Sequence, residues 1–284
     1  MGNLARTYAG KRKWDEAEQL EVQVLDMKKK LLGAEHPDTL LSMNNLASTY
    51  SSQGKLNKAE PLNVQVLGLR KKLHGAEHPG TLQSMGNLAR TYAAKGKWDE
   101  AEQLEVQVLD MRKKLLGSEH PDTLVSMENL AGTYSSQGKL SEAELLKVQV
   151  LDLRKKLLGA EHPDTLRSMG NLARSYAGKG KWDEAEQLEV QVLDMRKKLL
   201  GLEHPDTPVS MKNLASTYSS QGKLNEAELL KVQVLDIMMR KKLLSAEHSG
   251  THMYEIQTFT VSYFILLSSF FVSLLSVLIS YCLI

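Results

Sequence analysis

Six asparagines stand 42 residues apart: Asn3, Asn45, Asn87, Asn129, Asn171 and Asn213. A primary amide both donates and accepts, so a ladder of them can grip the backbone of an extended peptide. Arg6, Arg90 and Arg174 lie three residues further on, which on a helix is the same face. Arg167 and Lys212 add positive charge to the set. Read as chemistry, these residues make a peptide-binding face that favours acidic or carboxylate-bearing partners. The structural alternative is that each amide bonds to the neighbouring repeat and only holds a stack; the two roles are compatible.

Other reactive side chains point elsewhere. His36, His78, His120, His162 and His204 each precede a proline and are one repeat apart, too far to share a metal. They read as packing or capping residues. His248 and His252, with Glu247 and Glu255, are too sparse a set to hold zinc. The single cysteine, Cys282, allows no intrachain disulfide. Gly178-Lys179-Gly180-Lys181 lacks the serine or threonine that follows the lysine of a phosphate-binding loop. No serine-elbow motif occurs. We therefore expect no catalytic residue, no metal and no cofactor. With 36 basic and 34 acidic residues the net charge is +2, which gives no reason to expect nucleic acid.

The residues that must position the asparagines form a 42-residue unit opened by Met1, Met43, Met85, Met127, Met169 and Met211. Repetition at this period implies stacked units, each unable to bury its apolar face alone. Two helices per unit are expected. In the second copy the first runs from Asp38 to about Ser52, with Leu40, Met43, Leu46, Ala47 and Tyr50 on one stripe. The second runs from about Lys58 to Leu73, with Ala59, Leu62, Val66, Leu69 and Leu73 on its stripe. Asn57 with Glu60 reads as a capping box, repeated at Asp15/Glu18, Asp99/Glu102, Ser141/Glu144, Asp183/Glu186 and Asn225/Glu228. Asp38 or Thr39 is placed to cap the first helix after Pro37. The basic run Arg70-Lys71-Lys72 suits the negative end of a helix and reads as a solvated face. Arg12 stands where later copies have Gly54 and Gly96. Trp14, Trp98 and Trp182 alternate with Leu56, Leu140 and Leu224, a second period of 84, and read as inter-helix packing.

The residues Glu35-His36-Pro37-Asp38-Thr39, Asn45-Leu46-Ala47, Tyr50, Gly54 and Glu142-Ala143-Glu144 resemble the tetratricopeptide repeat in its 42-residue, kinesin-light-chain-like form. The resemblance covers roughly residues 1–248 and implies an all-α fold, an α-α superhelix of about six helix-turn-helix units. It also implies that the first helices line a concave face, which places the asparagine series in a groove, and that the chain is a non-enzymatic scaffold for partner proteins. A larger protein in which such repeats follow a further domain is an alternative. One departure stands out. The family's usual aromatic, four residues after the second-helix alanine, is replaced by Glu21, Asn63, Glu105, Lys147, Glu189 and Lys231.

Met1 falls inside a first helix, so a longer array or a fraying first helix is expected. Residues 1–30 are charged and do not read as a signal peptide. Near the other end, Met238 and Met239 read as a two-residue insertion that rotates the end of the last helix by roughly 200°. A linker is expected at 249–257 and a hydrophobic C-terminal helix at 258–284. Residues 256–284 carry no charge, and a bilayer needs about 20 apolar residues as helix. A transmembrane tail anchor with the repeats in the cytoplasm, an apolar cap on the last repeat, and a run foreign to the array all fit that stretch.

Overall fold

The computed structural model describes residues 2–249, with side chains described as far as Lys242. The described residues form twelve helices and no strand. They are α1 (Gly2–Gly10), α2 (Trp14–Leu32), α3 (Pro37–Ser52), α4 (Leu56–His74), α5 (Pro79–Ala94) and α6 (Trp98–Leu116). Then follow α7 (Pro121–Ser136), α8 (Leu140–Leu158), α9 (Pro163–Gly178), α10 (Trp182–Leu200), α11 (Asp206–Ser220) and α12 (Leu224–Ser249). Contacts divide the chain into two compact units, Met1–Ala185 and Glu186–Ile284, the division falling within α10. In the first unit, each helix from α1 to α8 packs on the next in the chain. In the second, α11 packs on α12.

First helices start where the proline places them. Pro37 holds the first position, and His36 Nδ1 accepts from the Asp38 amide at 3.1 Å. His78, His120 and His162 do the same at 3.1 Å, and His204 at 3.3 Å. The imidazole, rather than Asp38 or Thr39, satisfies the free amide, and Thr39 is fully buried instead. The chain turns out of α3 at Gly54, whose φ of 74° lets the Lys55 amide reach back to the Tyr50 carbonyl at 2.8 Å. Arg12 occupies the same left-handed position with φ 57°, a conformation that costs a side-chain-bearing residue roughly 1–2 kcal/mol.

Second helices start two residues before the expected Lys58, at Leu56. Lys55 precedes the helix without any side-chain cap, so the expected capping box is absent. Its glutamate is engaged elsewhere: Glu60 holds Lys95 at 2.5 Å and Lys97 at 3.0 Å in the next repeat. An ammonium offers the carboxylate a charged donor where the cap would offer a neutral amide.

The core is a series of layers. One layer packs Leu25 of α2, Leu40, Met43, Leu46 and Tyr50 of α3, and Ala59 and Val66 of α4. The next takes Leu67, Leu82, Met85, Leu88 and Val108, and a third Leu109, Leu124, Met127, Leu130 and Val150. Each layer needs the second helix of the preceding repeat, which is why one repeat alone has nothing to close on. Leu73 departs from its expected stripe and is exposed. α4 has 19 residues against the 16 of α3 and α5, so its last turn overhangs them.

In the second unit, Leu193, Met211, Leu214, Ala215, Leu230, Val234 and Ile237 form the core. Met238, 42 residues after Arg196, is exposed, and Arg240 is paired with Asp236 on its own helix. Among the described residues no helix is long and apolar enough to cross a membrane. The expected hydrophobic helix 258–284, the linker beyond Ser249, His252, Glu255 and Cys282 lie outside the described residues.

Candidate functional site

The first helices carry the asparagine face into grooves. A groove of about 470 Å³ opens where α3, α4 and α5 meet, and Asn44, Asn45, Asn63, Arg70, Asn87 and Arg90 contribute to its walls. A smaller one of about 140 Å³ is lined by Asn3, Arg6, Glu21, Lys28 and Asn45. Of the sequence-selected residues, Asn3, Arg6, Asn45, Asn87 and Arg90 are thereby brought together. Asn129 on α7 and Arg174 on α9 are exposed, and Asn171 is half-buried. Arg167 is drawn to carboxylates, 3.0 Å from Asp164 and 3.9 Å from Glu128. In the second unit Lys212 is exposed and Asn213 half-buried on α11. Among the described residues, no side chain of the six asparagines hydrogen-bonds to a neighbouring repeat; Asn87 Oδ1 accepts from Arg90 Nη2 of its own helix at 2.8 Å. Asn44 carries no repeat signal in the sequence, yet its Oδ1 is buried in this groove without a hydrogen-bond partner.

The groove has a floor built by second helices at the position where the family's aromatic is replaced. Four of these floor residues, Glu21, Asn63, Glu105 and Lys147, meet a hydroxyl of the following first helix, 28 residues on. Asn63 Nδ2 donates to Thr91 Oγ1 at 2.9 Å, and Lys147 Nζ donates to Ser175 Oγ at 2.6 Å. Glu21 and Glu105 accept from Thr49 and Thr133. Burial pushes both carboxyls above the usual carboxylate range, the threonine bonds pulling the other way. Each keeps one oxygen, Oε2, buried without a hydrogen-bond partner. Lys147 is shifted down from the ordinary lysine value, first by burial and then by the charge of Arg174.

Away from the floor, charges clasp one repeat to the next. Arg70 Nη1 donates to the Gly80 carbonyl at 2.5 Å and to Ser84 Oγ at 3.0 Å. Arg112 and Arg196 repeat the pattern with Ser126 and Ser210 at 2.8 Å. Glu18 pairs with Lys55, and Glu102 with Lys139, both at 2.6 Å and both 37 residues apart. Lysines and glutamines of the following repeat hold the carboxyls of Glu18, Glu60, Glu102, Glu144 and Glu186 below the usual carboxylate range, the lysine bond being the largest cause in each. The sequence signal was available: a glutamate and a lysine that keep a 37-residue separation through the copies.

Among the described residues no cluster of three or more His, Cys, Asp or Glu could hold a metal. The tetratricopeptide repeat family model matches residues 81–122, 123–164, 165–206 and 209–249, and a second tetratricopeptide repeat model matches residues 1–72. The chain belongs to the tetratricopeptide repeat family. Its repeats are of the kinesin-light-chain-like type. A crystal structure of nearly identical TPR-like repeats ascribed to a Podosopora anserina kinesin light chain is 39% identical. That alignment covers 73% of this chain and 98% of that one, with a TM-score of 0.66. A point variant of the same Podosopora anserina protein is 38% identical over the same shares, with a TM-score of 0.67. BtubC (BKLC) from P. vanneervenii shares the fold at 20% identity and a TM-score of 0.68, over 84% of this chain and 93% of that one. None of the curated proteins compared with the chain matches it.

Proposed function

We propose that these tetratricopeptide repeats are a non-enzymatic scaffold that binds extended segments of partner proteins along the asparagine-bearing face of the first helices. Tetratricopeptide repeats of this type generally mediate protein–protein interaction, and the polar groove between α3 and α5 supplies a place for it. The observation that carries the reading is the state of the amides in that groove. Asn45 and Asn87 line it without bonding to the neighbouring repeat, and Asn44 Oδ1 is an acceptor with nothing to accept from. Amides that only held the stack would be satisfied by the stack. A bound peptide backbone supplies both a donor and an acceptor to each.

The test replaces Asn87, Arg90, Asn129 and Asn171 together by alanine in the full chain and compares the partners recovered by pulldown with those of the unaltered protein. Loss of specific partners from a variant with unchanged helical content is the expected outcome. Unchanged recovery would remove the groove from the account.

A further inference from the structure

The junctions between repeats are built from parts that recur, and α1 and α12 each carry one half of those parts uncovered. Inside the array a leucine of a second helix shares a layer with a leucine of the next first helix: Leu25 with Leu46, Leu67 with Leu88, Leu109 with Leu130. The leucines at these two registers are 3–7% exposed, with two exceptions. Leu235 of α12, at the register of Leu25, is 47% exposed, and Leu4 of α1, at the register of Leu46, is 48% exposed. The floor contact is divided in the same way. Lys231 of α12 stands at the register of Asn63 and Lys147, which donate to Thr91 and Ser175, and it is exposed. Thr7 of α1 has the register of Thr91 and is exposed. Its hydroxyl donates to the Asn3 carbonyl at 3.0 Å, as that of Thr91 does to Asn87, which leaves a lone pair for a donor.

The charges make the fit specific. Junctions that run from an even copy to an odd one set a glutamate between two lysines. Glu60 holds Lys95 and Lys97, and Glu144 holds Lys179 and Lys181, at 2.5–3.1 Å. One 84-residue period after Glu144, α12 presents Glu228; one period before Lys95 and Lys97, the turn after α1 presents Lys11 and Lys13. All three are exposed, and among the described residues none of them is in an ion pair. Lys13 lies over the Tyr8 ring, 6.0 Å from its centroid, as Lys97 and Lys181 lie over Tyr92 and Tyr176 at 5.2 Å. A carboxylate without its cations and a lysine pair without its carboxylate are the two halves of one clasp.

We infer that α12 of one molecule receives α1 of a second copy of the chain, repeating the even-to-odd junction between molecules. Leu235 covers Leu4, Lys231 donates to Thr7, and Glu228 closes on Lys11 and Lys13. The contact is heterologous, so each added copy leaves one half of each kind open. The uncharged residues 256–284 suit this face less, because they bring no cation to Glu228. Met238 stands where Arg154 and Arg196 reach into the following repeat. The contact therefore lacks the arginine link of an internal junction, and association is weaker than stacking within the chain.

The test is the light-scattering mass of the full chain over a dilution series from roughly 1 μM to 1 mM. The mass of the unaltered chain should rise with concentration. Glu228→Lys in one variant, and Lys11→Glu with Lys13→Glu in another, should each weaken self-association roughly tenfold or more, since like charges then face each other. An equal mixture of the two variants should restore it, because each end then meets its opposite. A chain that stays monomeric throughout overturns the contact. Association that survives both charge reversals also overturns it and moves the association to another surface, the 256–284 run foremost. Loss in both variants without recovery on mixing overturns it as well.

Discussion

Two adjacent junctions, α5–α7 and α7–α9, share helix lengths, caps and core composition, yet carry opposite charges. At the first, the floor is Glu105 and Arg112 reaches the next repeat through the Asp122 carbonyl at 2.9 Å and Ser126 alone. At the second, the floor is Lys147, and Arg154 is 5% exposed, gripped by both oxygens of Glu128 at 2.6 and 2.8 Å and by Ser168 at 2.6 Å. Gly86 stands at the register of Glu128 one repeat earlier. The difference separates two kinds of position. Helix starts, turns and apolar layers recur because every junction needs them to close. The floor and its flanking position vary because the backbone does not depend on their sign.

The largest effect expected from this contrast is at Arg154. Arg154→Ala removes one partner of a largely buried ion pair and should cost roughly 3–5 kcal/mol at its junction. Arg112→Ala loses only charge-assisted hydrogen bonds, roughly 1.5–3 kcal/mol. Because arrays of repeats open locally, amide hydrogen exchange in α7–α9 and in α5–α7 is the measurement. Equal loss of protection in the two variants would show that Glu128 adds nothing and would erase the distinction between the junctions.

A smaller effect converts one junction toward the other. Glu128→Ala leaves Arg154 with the Ser168 and backbone bonds that suffice for Arg112. The cost should be roughly 1.5–3 kcal/mol, below that of Arg154→Ala. Exchange in α9 reads it. A loss as large as that of Arg154→Ala would mean that this arginine cannot stand without its carboxylate.

What could be read from the sequence divides along the same line. The 42-residue period, the first-helix stripe from Leu40 to Tyr50 and the asparagine register were legible because each is a local pattern that the backbone must obey. The second-helix start was not. Asn57 and Glu60 have the spacing of a capping box, and nothing within that stretch reveals that Lys97 is a stronger partner for the glutamate. The overhang at Leu73 escaped for a related reason, since helix periodicity says nothing about how far the neighbouring helix extends. The floor residues were visible only as departures from a family pattern. Their chemistry became apparent when Thr91, Thr133 and Ser175 were found opposite them. Asn44 is hidden because it does not recur: Gly86, Glu128, Gly170 and Lys212 follow at its register.

The smallest expected effect tests the floor charges by pH. Burial raises the Glu105 carboxyl above 4.5, so its contribution to stability is full below 4.5 and is lost as pH rises through the folded value. At neutral pH the ionised carboxylate, with Oε2 unbonded, weakens its junction. Glu105→Gln supplies an amide, as Asn63 already does, and should raise the thermal midpoint at pH 7, with the gain fading as pH falls below about 4.5. Lys147 is shifted the other way, so its stability is present above the ordinary lysine value and lost as pH falls through the folded one. Lys147→Gln should therefore also stabilise at pH 7, but acidification should leave that gain in place. Thermal melts of both variants from about pH 4 to 8 distinguish the two behaviours. Parallel pH profiles would mean that the floor side chains are solvated and that the charge difference between the junctions has no energetic consequence.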